Sequence, residues 1–147
     1  MIKFKTMLHF MILPVTLIGI MTLSSSCKND DDVVDPITEK INELSANWQL
    51  GNVTNDNTKV SDQYSGFTLT IDNFNFKTQN GGNPWPNFGS YDFKDNDLSV
   101  IVRNDGIEMT IDELTTTSLV LSFWFNDLPG GRVTGLPGNF TFSLVRL

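Results

Sequence analysis

The chain has 147 residues, with 10 Lys+Arg against 17 Asp+Glu, a formal net charge of −7, one cysteine and one histidine. An acidic chain with scattered basic residues excludes phosphate-backbone binding, which needs clustered Lys and Arg, and it gives no charge attraction to anionic headgroups. A single cysteine excludes an intramolecular disulfide, and the length fits one domain of about 100 residues plus a tail.

The N-terminus carries Lys3 and Lys5, an apolar run from Phe10 to Ile20, and then Leu23-Ser24-Ser25-Ser26-Cys27. A basic start, a short apolar segment and a small-residue region are the parts of a secretory signal peptide. Pro14 and Gly19 break the run, which falls short of the roughly 20 apolar residues of a spanning helix. Leu23 to Cys27 resembles the lipobox of bacterial lipoproteins, in which the signal is cut before a cysteine that receives a diacylglyceryl group. The resemblance implies a signal over residues 1–26 and a lipid anchor on Cys27. Cleavage there leaves 121 of the 147 residues and 8 of the 10 basic ones against all 17 acids, a net charge near −9. Membrane attachment then comes from the acyl chains, at roughly 0.8 kcal/mol per buried CH₂.

Lys28-Asn29-Asp30-Asp31-Asp32 follows the cysteine. A short acidic run beside an anchor serves as a solvated spacer kept extended by self-repulsion. Lys28 with Asp30, Asp31 and Asp32 also resembles the tag that exports some Gram-negative lipoproteins to the outer membrane, with Asn29 as the one departure. The resemblance implies a lipid-anchored outer-membrane location, with periplasmic and cell-surface placements both open.

Residues 27–43 read as the lipidated cysteine, the tether and the start of a short helix. Asp35 is a helix N-cap with Pro36 at the first helical position. Ile37, Ile41 and Leu44 form one narrow apolar stripe over Pro36 to Ser45. So short a helix is not stable alone, and the stripe is expected to lie against the domain, capping a barrel end.

From Trp48 onward the period changes to two. Trp48, Leu50 and Asn52 open the first run, and a polar connection spans Lys59 to Gly66. Phe67, Leu69 and Ile71, then Phe74 and Phe76, alternate with polar residues. A loop from Asn80 to Asn87 precedes Tyr91 and Phe93. Lys94 to Asp97 turns the chain into Leu98, Val100 and Val102. Asn104-Asp105-Gly106 is a hairpin turn by its chemistry, leading to Ile107, Met109 and Ile111. Leu119, Leu121, Phe123 and Phe125 form the most apolar strand. A loop from Asn126 to Gly138 then leads to Phe140, Phe142 and Leu144, with Arg146 ending the alternation.

About eight strands spaced some 8–12 residues apart, without intervening helical patterns, exclude parallel βαβ units. The expected fold is all-β: an antiparallel, up-and-down, eight-stranded barrel over residues 44–147, behind a short N-terminal helix. Such a barrel is either filled by side chains or holds one small ligand. A short helix, a tryptophan opening the first strand and an up-and-down run of eight strands resemble a lipocalin. Leu44-Ser45-Ala46-Asn47-Trp48, Gly89 to Phe93 and Asp112 to Leu121 resemble the lipocalin-like domains of small bacterial lipoproteins of unassigned function. The resemblance implies a fold and carries over no catalytic residue.

Catalytic chemistry has few candidates. His9 lies in the signal and Cys27 is consumed by lipidation, which removes His- or Cys-dependent nucleophile systems and an ordinary zinc site. Asp95 and Asp97, and Asp112 and Glu113, fall at turns or strand ends, where such residues collect for structural reasons. The expectation is therefore no enzyme, no metal and no cofactor.

Candidate binding residues are Trp85, Tyr91, Trp124 and Arg132. Trp85, between Pro84 and Pro86, either presents its indole to a partner or folds over the barrel end to shield the interior. Trp124 alternates out of phase with Phe123 and Phe125, facing either solvent or the N-terminal helix. Arg132 is the one charge of the glycine-rich tip Pro129-Gly130-Gly131-Arg132, which lacks the ending of a P-loop. Trp48, Phe67, Phe74 and Leu121 are expected in the core. Two functions fit: capture of a small apolar or amphipathic ligand, with Trp85 and the 126–138 loop at the mouth, or a filled barrel that docks a protein or glycan on its surface. Nucleic acid is not an expected partner.

Overall fold

Asp35 accepts a hydrogen bond from the Thr38 N–H at 3.3 Å and Pro36 takes the first turn, so helix α1 (Pro36–Leu44) begins where its capping chemistry puts it. The computed structural model describes residues 34–94, 96, 98–126 and 137–147. The expected signal over residues 1–26, Cys27 and the expected export-tag residues Lys28, Asp30, Asp31 and Asp32 lie outside the described residues, as do Asp95, Asp97 and Arg132.

Of the helical stripe, Ile41 and Leu44 are buried, whereas Ile37 remains exposed. Ser45 caps the helix, its N–H bonding the Ile41 carbonyl. The end of α1 is tied to one end of the barrel at three points. The Trp48 indole donates to the Leu44 carbonyl at 3.0 Å, the Asn73 N–H donates to Ser45 Oγ at 3.2 Å, and Arg146 donates to the Ser45 carbonyl at 3.2 Å.

The strands are β1 (Ala46–Asn55), β2 (Thr58–Lys59), β3 (Thr68–Asp72), β4 (Asn75–Gln79), β5 (Phe88–Phe93), β6 (Val100–Arg103), β7 (Glu108–Leu114), β8 (Ser118–Phe125) and β9 (Gly138–Arg146). All pairings are antiparallel, in the order β1-β3-β4-β5-β6-β7-β8-β9, and β9 returns to β1 over Trp48↔Arg146 to Asn55↔Phe140. Eight strands therefore close into an up-and-down barrel. The two-residue β2 extends β1 as a small hairpin inside the connection read as polar loop, followed by a short 3₁₀ turn (Ser61–Tyr64) that buries Tyr64. Closure leaves the ring without an exposed edge.

The interior gathers the alternating apolar residues. Trp48, Phe67, Leu69, Phe76, Met109, Leu119, Leu121, Phe142 and Leu144 are buried in one continuous core. Phe74 is half-buried and packs instead against Tyr91 and Phe93, at ring separations of 5.9 and 6.4 Å.

Two stretches depart from the period read in the sequence. In β1 a bulge between Leu50 and Asn52 moves the inward phase from Trp48 to Val53, and Asn52 bonds Ser61 Oγ. Gly51 sits in that bulge because a Cβ there would stand 2.9 Å from the Ser143 carbonyl oxygen. In β6 the inward residues are Ile101 and Arg103, and Val100 and Val102 are only half-buried. Leu98 adopts a positive φ of 59°, a left-handed conformation that interrupts extended structure and resets the alternation. From Val34 onward the described residues form one compact unit.

Candidate functional site: a filled interior and its outer face

The barrel interior is completed by a loop. The chain between β4 and β5 turns at Asn80 and Gly82, both at positive φ, and sends Trp85 inward. Trp85 is 4% exposed, and its ring centroid lies 5.7 Å from Phe67, 5.9 Å from Phe76, 5.6 Å from Phe123 and 5.7 Å from Phe142. Aromatic pairs at such distances each contribute about 0.5–1.5 kcal/mol beyond area burial. The indole is thus a wedge at the centre of an aromatic cluster. It does not stand at an open mouth: of the two readings of Trp85, its burial fits the one that turns the indole inward and not the displayed one. Its Nε1–H is buried and meets no acceptor among the described residues.

Arg103 holds the loop from beside Trp85. It is 3% exposed, its guanidinium lying 5.2 Å from the Trp85 ring and 5.9 Å from that of Phe76. Nη1 donates to the Pro84 carbonyl at 2.7 Å, Nε donates to Asp105 Oδ1 at 3.1 Å, and Nη2 pairs with the other carboxylate oxygen of Asp105. A buried guanidinium requires such satisfaction, because stranding one donor costs about 1–3 kcal/mol and more when charged. Partial burial by itself raises the pKa of Asp105, but the hydrogen bonds and charge of Arg103 outweigh it and hold the carboxyl below its ordinary value.

Little space is left among the described residues around Trp85. The void bordered by Leu69, Phe76, Trp85, Tyr91, Met109 and Leu121 measures about 10 Å³, roughly the room of one water and far below the ~300 Å³ of a small-ligand site. Tyr91 is buried, and its hydroxyl donates to the Asn73 carbonyl at 2.9 Å. Burial pushes its phenol up to about 12 and raises Tyr64 likewise. Tyr91 is therefore a core residue and is not presented to a partner.

The other end of the barrel is closed by charge over an aromatic. Arg146, the last inward position of β9, places its guanidinium 5.5 Å from the Trp48 ring and donates to the Thr116 and Ser45 carbonyls.

Outside, Trp124 faces solvent and is 55% exposed, paired across the strands with Asn139. It does not pack on α1, whose end is bound to Trp48, Asn73 and Arg146. The most exposed large apolar side chain among the described residues is Phe88, at 76%. It stands opposite Lys77 across β4 and β5, beside a hollow of about 330 Å³ lined by Thr70, Asp72, Asn75, Lys77 and Phe88 over Gly89. The candidates Trp85, Tyr91 and Trp124 thus do not meet in one site. Asp112 and Glu113 are exposed on β7, and no group of three or more His, Cys, Asp or Glu among the described residues is placed to hold a metal ion.

Sequence reasoning passed over Arg103 and Phe88. A signal for each was present. Arg103 continues the Ile101 phase and precedes a turn carboxylate at Asp105, and Phe88 shares its phase with Ser90 and Asp92, the polar face of β5. Comparison with known proteins finds no family model, no curated protein and no solved structure that this chain matches.

Proposed function

We propose that this chain is a cell-envelope lipoprotein, anchored through Cys27 and directed to the outer membrane by Lys28 and the following acids, whose barrel is a solid scaffold that works by surface recognition. The eight-stranded up-and-down ring behind a short helix supports the likeness to lipocalin-like domains of small lipoproteins. The observation that carries the functional reading is the occupied interior. Trp85 takes the central space and leaves a void of about 10 Å³. A barrel of this size works as a container when that space is free. Here it is filled by the chain's own indole, which favours the docking reading over capture of an apolar ligand.

Recognition without catalysis fits the composition as well, since the sole histidine and the sole cysteine both precede residue 34. Native mass spectrometry of the full mature lipoprotein, extracted from its membranes in mild detergent, tests the proposal. The expected mass is that of the chain from Cys27 with its acyl groups and nothing further. A small amphipathic molecule retained in one-to-one ratio and lost on denaturation would return the interior to the role of a pocket.

A further inference from the structure

The hollow beside Phe88 has the chemistry of a specific site. Cross-strand register sets its walls: Thr70 opposes Lys77 and Asp72 opposes Asn75 between β3 and β4, and Lys77 opposes Phe88 between β4 and β5. Gly89 contributes to its floor, and a Cβ there would come within 2.6 Å of the ring of Phe76, its buried partner on the inner face. Among the described residues, Asp72 and Lys77 make no ion pair, and Asn75 makes no side-chain hydrogen bond. One carboxylate, one ammonium and one amide therefore surround an exposed aromatic ring, with the Thr70 hydroxyl, which donates to Asn47 Oδ1 at 2.8 Å, at the edge, and with no net charge in a chain of net −7.

A lone exposed phenylalanine is ordinary on a protein surface. Its position beside the side chains of Asp72, Asn75 and Lys77, which have no protein partner among the described residues, in a hollow of about 330 Å³ distinguishes it, since small-molecule sites combine apolar contact with a few convergent polar groups and begin near ~300 Å³. The absence of net charge disfavours phosphates and other strong anions. An aromatic face flanked by both donors and acceptors complements a molecule with one C–H face and a rim of hydroxyls. We propose that this trough is a subsite for a neutral pyranose of a glycan, stacked on Phe88, its hydroxyls bonded by Asp72, Asn75 and Lys77. The inference rests on the surface-recognition reading and names its ligand class.

The test is a ¹H–¹⁵N titration of the full chain in detergent with two probes, cellotetraose and chitotetraose, the second adding acetamido groups to the same backbone. The expected result is saturable shifts of the Thr70, Lys77, Phe88 and Gly89 amides with at least one probe. Phe88→Ala weakens that binding tenfold or more, and Asp72→Asn weakens it severalfold with the amide pattern of the fold unchanged. Shifts confined to other strands, binding that survives Phe88→Ala, or no saturable shifts with either probe would overturn the saccharide assignment. Those failures leave the filled barrel standing; a small molecule retained in native mass spectrometry defeats the docking reading instead.

Discussion

At the scale of single residues, the interior depends on Trp85 and the cation beside it. Trp85→Ala removes a buried indole from among four phenylalanine rings, and cavities of that kind cost about 3–5 kcal/mol, a loss readable as a lower urea midpoint. Trp85→Phe is expected to cost distinctly less than its lost volume suggests, because it also removes a buried N–H that meets no acceptor among the described residues. Trp124→Ala deletes the same side chain from the outer face and should stay within about 0.5 kcal/mol of the parent. Equal losses at 85 and 124 would contradict the assigned orientations.

Asp105 gives a pH signature. Its folded pKa is lower than its ordinary value of 3.8, so its stabilisation is fully present above that value and is lost as pH falls through the folded one. Asp105→Asn should lower stability at pH 7 and flatten the decline below pH 4; an unchanged acid limb in urea melts would refute the pairing. The two tyrosines supply the alkaline counterpart. Both are buried with raised pKa values, Tyr91 to about 12, so their contribution is intact below pH 10 and fades as pH rises through each folded value. Phenolate absorbance near 295 nm is therefore expected to lag behind free tyrosine and to rise together with unfolding. Ionisation of both at pH 10 in a folded chain would contradict their burial.

At the scale of elements, the period of two survives wherever a strand is straight and fails wherever the backbone bends. The runs Phe67-Leu69-Ile71, Leu119-Leu121-Phe123 and Phe140-Phe142-Leu144 point inward as their alternation indicates. In β1 and β6 the alternation slips by one residue, at the bulge after Leu50 and at the left-handed Leu98. A one-residue slip moves every following side chain to the other face. The sequence signalled the first bend through Gly51 and gave no warning of the second, since leucine rarely adopts that conformation. Gly51→Ala places a Cβ 2.9 Å from the Ser143 carbonyl oxygen, and such overpacking costs about 1–3 kcal/mol. Thermal unfolding of that variant should show a clear drop, and an unchanged midpoint would mean that β1 meets β9 without the bulge.

For the molecule as a whole, the fold class was legible in the chain because hydrophobic alternation and turn chemistry are local. The site was less so. Whether an eight-stranded barrel is hollow depends on what its loops do. Prolines flanking Trp85 are compatible with an indole held outward or inward, and three-dimensional packing against Phe67, Phe76, Phe123 and Phe142 decides between them. Likewise, Arg103 looked like one of several scattered basic residues until the register of β5 with β6 set it beside the Trp85 loop. The outer hollow is assembled from three strands and has no contiguous motif to read.

The claim on which the functional reading turns is that the chain fills its own barrel. A crystal structure of the protein purified from its host in mild detergent tests it most directly, through the electron density inside the ring. Continuous density is expected for the Trp85 indole between Phe67 and Phe142, with the Arg103 guanidinium against its face. An indole swung out to solvent, with density for a bound apolar molecule in its place, would contradict it.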